Sequence, residues 1–318
     1  MIFQQASRYP GEFVAQQWSD WRSFITTPVD GTMLGPVRLT LGLLATWNWF
    51  VMGLDFSDWF GPFGWLPKAE AIALRRATIP WGWSLWDIVP QSLVAPVYGL
   101  GLIVILAWTV GFCCRWSGVI TWLLIYSTMR RLPMMLFGFD SILSTFVLYL
   151  ALTGTGGESF SIDRWLASRN GFKPIQNKLL RSTVAIRLIQ IQLCVIYGAA
   201  GLSKLRGEPW WSGTASFFLV ANSEFRGVSI LETLGNHRMI TALFTHIPLW
   251  TEILYPVLIW PKLWRPLIMI LTVGLHLAIG LTLGLWEFGF AMIAANLVFI
   301  DGAWLKAVLR TKKNAIRA

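Results

Sequence analysis

The residues of this chain that could do chemistry form a polar stripe in the apolar run at residues 184–204. They recur at alternating spacings of three and four, which keeps their side chains within one sector of an α-helix. A charged side chain deep in a membrane costs about 2.5–3.5 kcal/mol on insertion, so this face must point into the protein or a watery cavity. The stripe consists of Arg187, Gln190, Cys194, Tyr197, Gly201 and Lys204.

Lys204, at the end of the stripe, is the candidate base. A lysine in an apolar, partly dry pocket loses its charge readily, because desolvation disfavours the ammonium ion. The neutral amine can then accept a proton from a substrate. The alternative is a lysine at a helix end that extends its amine to the membrane surface. The stripe that precedes Lys204 favours the first interpretation.

His276 and Glu252 are polar candidates in two other apolar runs, VGLHLAIGL and LWTEILYP. A neutral imidazole inside a membrane needs a hydrogen-bond partner, so His276 is either a functional residue or a buried histidine with satisfied bonds. Glu252 shares a helix face with Tyr255 at i+3. Its carboxylate could pair with Lys204, Arg187 or His276, in a structural or a functional ion pair.

Asp140 begins a further apolar run, FGFDSILS. As an isolated feature it is typical of a helix cap, because aspartate accepts hydrogen bonds from the first free N–H groups of a helix. His237 and His246 lie nine residues apart, with no cysteine or carboxylate at the spacing of metal ligands. We therefore expect no metal site.

The composition indicates where these residues must be held. Of 318 residues, 55% are hydrophobic and 13% are charged, against about 25% charged in soluble domains. This composition excludes a water-soluble single-core enzyme. The chain also has 20 Trp and six Tyr, and tryptophan is enriched in the aromatic belts at the two surfaces of a membrane. The chain has a net charge of +10, but its basic residues form no patch interleaved with aromatic side chains. We therefore expect no nucleic-acid partner.

The apolar runs predict an all-α integral membrane protein, a bundle of about eight transmembrane helices in one domain. A span needs about 20 apolar residues. Two long loops, 55–91 and 205–244, join the spans, and the first has the Pro, Gly and Trp content of a lid at the membrane interface. The predicted spans lie near 34–54, 92–114, 116–134, 139–154, 184–204, 245–260, 266–284 and 286–304.

The distribution of Lys and Arg predicts the orientation. With both termini in the cytoplasm, 15 of these residues lie on the inner side and nine on the outer side, as the positive-inside rule requires. Both long loops and Lys204 then face a non-cytoplasmic space. Residues 1–33 are expected to form an amphipathic segment on the membrane surface, 34–305 the transmembrane domain and 306–318 a basic cytoplasmic tail.

The run YGAAGLSKLRGEPWWSG at residues 197–213 resembles the signature of the HTTM (horizontally transferred transmembrane domain) family, the bacterial relatives of the vitamin K-dependent gamma-glutamyl carboxylase membrane domain. Its pattern is roughly Y-x-x-A/S-G-x-x-K-L, followed by Trp and Gly. The resemblance continues in the same order over most of the chain, with FGFDSIL at 137–143, Ser161 to Asp163, Glu252, His276 and WEFGFAM at 286–292.

The resemblance implies a multi-pass protein of a bacterial inner membrane in which a lysine deprotonates a reduced naphthoquinone, such as vitamin K hydroquinone or a menaquinol. In the carboxylase, O2 converts the hydroquinone into a strong base that forms an epoxide and removes a glutamate γ-proton, before CO2 adds. Lys204 matches the family base. His276 matches a histidine that would hydrogen-bond the quinol oxygen or the reactive anion. The residues expected around the quinone are Tyr197, Asp140, Glu252, Trp210 and Trp211.

This chain departs from the animal carboxylases at three points. Ser203 replaces a second lysine beside the base, one extra residue precedes the Trp-Gly element, and Asp140 stands where those enzymes carry a histidine. Two hypotheses follow. The first is a lyase or oxidoreductase that activates a quinol without a metal, with a secreted peptide as candidate substrate. The second is a non-enzymatic membrane protein that binds or moves an apolar ligand, or assists maturation of a secreted peptide.

Overall fold

The computed structural model describes residues 10–169, 178–221, 237–303 and 305. Within these ranges the chain forms helices and turns and no strand, so the all-α prediction is confirmed. The helices are α1 (Pro10–Thr26), α2 (Leu34–Leu54), α3 (Phe56–Phe60), α4 (Lys68–Thr78), α5 (Leu85–Ile88), α6 (Gln91–Val110), α7 (Cys114–Arg131), α8 (Gly138–Thr153), α9 (Ile162–Arg169), α10 (Lys178–Lys204), α11 (Glu208–Trp211), α12 (Ala215–Ala221), α13 (Arg238–Leu258), α14 (Arg265–Leu283) and α15 (Trp286–Asn296).

Four helical segments among the described residues are long and apolar enough to cross a membrane. They are Gly31–Leu54, Gln91–Val110, Leu179–Lys204 and Arg265–Leu283, and two shorter apolar segments are Gly138–Thr153 and Trp286–Phe299. The described part of the chain is therefore all-α, with four helical segments that could span a membrane. Each of the eight runs predicted from the sequence overlaps a helix, namely α2, α6, α7, α8, α10, α13, α14 or α15.

Two helix ends differ from the predicted span boundaries, the C-terminal end of α6 and the N-terminal end of α13. α6 ends at Val110 because Gly111 takes the left-handed conformation, with φ of 76°, which glycine adopts without a steric penalty. α13 begins at Arg238, inside the expected loop 205–244. The described part of that loop contains the short helices α11 and α12. Ser216 attaches α12 to α13, because its amide donates to Thr245 Oγ1 at 3.1 Å and its hydroxyl donates to the Thr241 carbonyl at 2.8 Å.

The predicted loop 55–91 folds into α3, α4 and α5 and covers one end of α7. Ser84 caps α5, and its hydroxyl donates to the Ser127 carbonyl at 2.8 Å. Trp86, which is 2% exposed, donates from its indole to Thr128 Oγ1 at 3.1 Å. The segment is thus fixed to the bundle by hydrogen bonds as well as by apolar packing.

Arg38 lies in α2 and is fully buried. Its guanidinium donates to four carbonyls, those of Gly156 at 2.8 Å, Trp108 at 2.7 Å, and Thr109 and Phe160 at 2.5 Å each. Carbonyls at the end of a helix carry partial negative charge. The four carbonyls supply hydrogen-bond acceptors to the buried guanidinium. Those of Trp108 and Thr109 also tie α2 to the end of α6.

The N-terminal helix α1 carries the residues predicted to lie on the membrane surface. Trp18 and Trp21 are 61% and 47% exposed. Phe24 packs against Trp260, with ring centroids 5.4 Å apart, and the Arg187 guanidinium lies 4.1 Å from the Phe24 ring centroid. α1 is therefore attached to the bundle at its C-terminal end. Residues 1–9 and the predicted basic tail at 306–318 lie outside the described residues.

Candidate functional site

The candidate site exists because α10 and α13 approach each other closely. A Cβ atom at Gly201 would lie 2.9 Å from the amide nitrogen and 2.8 Å from Cγ1 of Ile253, and one at Gly198 would lie 3.2 Å from Pro256 Cγ. Only glycine leaves enough room at Gly201. This contact brings the end of α10 beside the carboxylate that precedes Ile253.

Lys204 and Glu252 form an ion pair at that point. The Glu252 side chain is 7% exposed and that of Lys204 is 23% exposed. The Lys204 amine also lies 5.1 Å from the centroid of the Trp210 ring, within the range of a cation–π interaction. Of the three partners that the sequence left open for Glu252, the structure selects Lys204.

The ion pair alters the expected chemistry of the lysine. The Lys204 amine has the Glu252 carboxylate in contact with it, a partner that the apolar pocket expected around this lysine would not supply. A neutral amine among apolar side chains stays a prediction from the sequence. The two residues together place a donor and an acceptor at one point.

Lys204, Glu252 and Trp210 line a cavity of about 310 Å³. Ligand pockets span about 300–1,000 Å³, so this one suits a small ring system. Its other walls come mostly from α12, α13 and α14 and are largely apolar, with Phe244, Pro248, Leu275, Ile279 and Leu283 among them. The hydroxyl groups of Ser216, Thr241 and Thr282 belong to lining residues as well.

Apolar side chains at the edge of this cavity are partly exposed. Phe244 of α13 is 50% exposed and Leu219 of α12 is 42% exposed, and both line the cavity. An apolar opening of this kind is compatible with entry of a ligand dissolved in lipid.

Tyr197 and His276 belong to a buried hydrogen-bond network. The Tyr197 hydroxyl lies 2.7 Å from His276 Nε2 and accepts from Asn296 Nδ2 at 3.2 Å. The Tyr255 hydroxyl donates to Asn296 Oδ1 at 2.7 Å. The network thus joins α10, α13, α14 and α15.

His276 is 3% exposed, and its Nδ1 has no hydrogen-bond partner among the described residues. Its neighbour Leu275, but not His276, lines the cavity. The two residues expected to be catalytic therefore differ in position. Lys204 lies on the cavity wall, whereas His276 lies in the packing behind it, beside Tyr197.

Asp140 and Trp211 lie outside this cavity. Asp140 Oδ2 accepts a hydrogen bond from the Phe137 amide at 2.9 Å, as expected for a cap of α8, and Asp140 lines a different, smaller cavity. Trp211 is 57% exposed and donates from its indole to the Leu205 carbonyl at 2.8 Å. The structure brings neither of them to the Lys204–Glu252 pair.

The polar stripe of α10 serves two separate regions. At its far end from Lys204, Arg187 donates to the Phe24 carbonyl at 3.0 Å and to Gln190 Oε1 at 2.8 Å. Gln190 in turn donates to the Val298 carbonyl at 3.1 Å. This end of the stripe attaches α1 and the chain after α15, and contributes nothing to the cavity.

Asn296 is the member of the network that sequence reasoning missed. It is 1% exposed, and its side-chain amide forms hydrogen bonds with the hydroxyl groups of Tyr197 and Tyr255. The available signal was a lone amide in the apolar run AMIAANLVF, because a polar group inside a membrane needs a partner. The described residues hold no group of three His, Cys, Asp or Glu side chains arranged to bind a metal ion.

Comparison with known proteins gives one match. The chain is 24% identical over 200 residues to "Uncharacterized protein YitO" of Bacillus subtilis (strain 168). The matched region covers 60% of this chain and 62% of that protein, so the chain spans less than two thirds of its relative. No family model matches the chain. No solved structure matches it either.

Proposed function

We propose that this protein binds a lipid-soluble phenol of the quinol class and exchanges a proton with it at the Lys204–Glu252 pair. The observation that supports this proposal is an ion pair at the wall of an otherwise largely apolar cavity. Such a cavity accepts an aromatic ring, while the pair offers a donor and an acceptor to its hydroxyl group. The partly exposed Phe244 and Leu219 leave a route for an apolar tail into the lipid.

In the proposed reaction the two residues have different roles. Glu252 accepts the proton of the quinol hydroxyl, and the ammonium of Lys204 stabilises the phenolate that forms. The total charge of the site is unchanged, because the proton passes from one acid to another within it. Trp210 restricts the ammonium from its other side. Lys204 thus acts mainly through its charge, and it acts as a base only after giving its own proton away.

The membrane arrangement is part of the same proposal. Helices α2, α6, α7, α8, α10, α13, α14 and α15 form an eight-span bundle in a bacterial inner membrane, with both termini in the cytoplasm. The distribution of Lys and Arg supports this orientation, which puts the Lys204–Glu252 pair in the non-cytoplasmic half. The resemblance to HTTM proteins supports a reaction of carboxylase type, in which O2 and CO2 are further substrates and a secreted peptide receives the carboxyl group.

Quinol consumption by purified protein in lipid nanodiscs tests the enzymatic proposal. Vitamin K hydroquinone is supplied in air, and quinone and epoxide are quantified by mass spectrometry. We expect Lys204→Ala and Glu252→Gln to lower the rate by roughly 100-fold or more. Lys262→Ala, at an exposed lysine between α13 and α14, is the matched control and keeps the wild-type rate. An unchanged rate in Lys204→Ala removes this lysine from the mechanism.

The second candidate function is non-enzymatic binding of an apolar ligand, or of an apolar part of a secreted peptide during its maturation. It is favoured by the pairing of Lys204 with Glu252, which gives each side chain a partner within the protein, and by the position of His276 behind the cavity wall. The pair would then hold a polar headgroup. Saturable quinol binding that Lys204→Ala abolishes, without any consumption by the wild type, would support this function over the first.

A further inference from the structure

Three apolar loops lie at the end of the bundle where α7 ends. Two of them belong to the segment that joins α2 to α6, at residues 61–66 and 79–84, and the third joins α7 to α8, at residues 132–137. None of the three contains Asp, Glu, Lys or Arg. The Arg131 guanidinium at the end of α7 donates to the Leu66 carbonyl at 2.6 Å, which attaches the first loop beside the third.

The second loop is attached to the same helix end. Arg75 is 3% exposed and donates to the carbonyls of Gly82 and Arg130 at 3.2 Å each. Trp83 packs against Tyr126 of α7, with ring centroids 5.6 Å apart. All three loops therefore contact the end of α7, and we call their exposed side the loop surface.

The loop surface exposes a large apolar side chain from each loop. Phe63 is 98% exposed, Trp81 78% and Met134 79%. Large exposed apolar patches mark sites that bind a protein or a membrane. Further exposed side chains of the same loops are Trp65, Trp83, Leu136 and Phe137.

We propose that the loop surface inserts into the lipid leaflet at this end of the bundle and contacts acyl chains just below the headgroups. The segment with the first two loops follows Gly31–Leu54 and precedes Gln91–Val110, which are both long and apolar enough to span a membrane. A segment between two spans lies where they leave the hydrocarbon, and tryptophan is enriched at that level. Apolar faces of interfacial segments lie about 5–10 Å into the boundary of headgroups and acyl chains.

The length of α8 supports a position of the third loop within the leaflet. α8 has 16 residues and is therefore about 24 Å long, whereas the hydrocarbon core is about 30 Å thick. α7 and α8 are spans in the proposed bundle, on which this step rests. At the opposite end of α7, Arg115 is exposed, and its charge favours water or headgroups. The shortfall in length therefore lies at the uncharged loop 132–137, so that lipid reaches this loop.

The charged groups next to the loop surface have partners within the protein. Arg75 forms an ion pair with Asp87, and Arg131 donates to the Leu66 carbonyl. The Arg130 guanidinium lies 4.9 Å from the centroid of the Tyr126 ring, within the range of a cation–π interaction. Lipid contact at the loops therefore leaves none of these three arginines without a partner. A lid at the membrane interface is expected from the sequence, and the structure adds the third loop to it and points to contact with acyl chains.

Spin labelling of the full chain in lipid nanodiscs tests this inference. The background is Cys113→Ser/Cys194→Ser, since Cys114 is buried. Phe63→Cys, Trp81→Cys and Met134→Cys each add one label site at an exposed position, where a substitution is expected to leave the fold intact. Power-saturation EPR measures collisions of the label with O2, which concentrates in hydrocarbon, and with a water-soluble nickel chelate, which is excluded from it.

Two further variants calibrate the depth. Glu70→Cys, at an exposed charged residue of α4, is the control in water. Ile103→Cys is the control in hydrocarbon, because Ile103 lies near the middle of α6 and is 62% exposed. We expect the ratio of O2 to nickel collisions at the three loop positions to be several-fold higher than at Glu70→Cys.

The outcomes separate this inference from the proposals on which it rests. A ratio at the loops as low as that of Glu70→Cys, with a high ratio at Ile103→Cys, overturns the inference and leaves the loop surface to a protein partner. A low ratio at Ile103→Cys as well overturns the proposed membrane arrangement together with the inference. The quinol chemistry is tested separately, since Lys204 and Glu252 line a cavity to which none of the three loops contributes.

Discussion

Gly201 of α10 lies directly against the backbone of Ile253 in α13, so close that a Cβ atom would come within 2.9 Å of the Ile253 amide nitrogen. This contact sets the separation of the two helices at the level of the Lys204–Glu252 pair. Lys204 follows Gly201 by one turn, and Glu252 precedes Ile253. The glycine is therefore a positioning residue for the ion pair, although it takes no part in its chemistry.

Gly201→Ala should destabilise the protein and weaken ligand binding together. The added methyl group forces α10 and α13 apart, and overpacking of this kind costs about 1–3 kcal/mol. Gly274→Ala in α14 is the matched control, since a Cβ atom there meets nothing within 4 Å. Thermal unfolding in nanodiscs measures the difference. A Gly201→Ala protein as stable as Gly274→Ala would contradict the close-contact interpretation.

The ion pair should appear as a coupling energy in a double-mutant cycle. Lys204→Met leaves the largely buried Glu252 carboxylate without its ion-pair partner. Glu252→Leu leaves the Lys204 amine without its ion-pair partner. We expect each single change to cost about 1–3 kcal/mol, with Glu252→Leu the milder because Lys204 is partly exposed and can reach solvent. The double variant should cost less than the sum of the two. Strict additivity would show that the residues do not interact.

Tyr197→Phe tests whether Tyr197 acts in the buried hydrogen-bond network or in the cavity. Loss of the hydroxyl removes the described partner of His276 Nε2 and one of the acceptors of Asn296 Nδ2, which should lower the free energy of unfolding by about 1–3 kcal/mol. Ligand affinity should change little, because Tyr197 does not line the cavity among the described residues. Tyr126→Phe serves as the control, since the Tyr126 hydroxyl takes part in no described hydrogen bond. A large loss of affinity with unchanged stability would instead show direct contact with the ligand.

The orientation of the bundle can be tested at the junction of α6 and α7. Cys113 is exposed, whereas Cys114 is buried. In a Cys194→Ser background, a membrane-impermeant maleimide should label Cys113 in inside-out vesicles but not in intact cells. Cys113→Ser should abolish the labelling, because Cys114 is only 6% exposed. Labelling of intact cells would place this junction outside and reverse the proposed topology.

The length and spacing of the apolar runs were enough to predict an all-helical membrane protein. The period of three and four along α10 also predicted that Arg187, Tyr197 and Lys204 share a face that points inward. These features are local, because they depend on hydrophobicity and on the fixed geometry of one helix. Orientation and an eight-span count stay predictions, since both depend on the membrane as well as on the chain.

Tertiary packing alone decided which polar groups meet. It paired Glu252 with Lys204 rather than with Arg187 or His276, turned His276 toward Tyr197 and away from the cavity, and left Asp140 outside that cavity. No spacing within one helix contains this information, because it depends on how close two helices come and on their rotation about their axes. Here that distance depends on glycine at position 201, whose missing side chain allows Lys204 to reach its carboxylate.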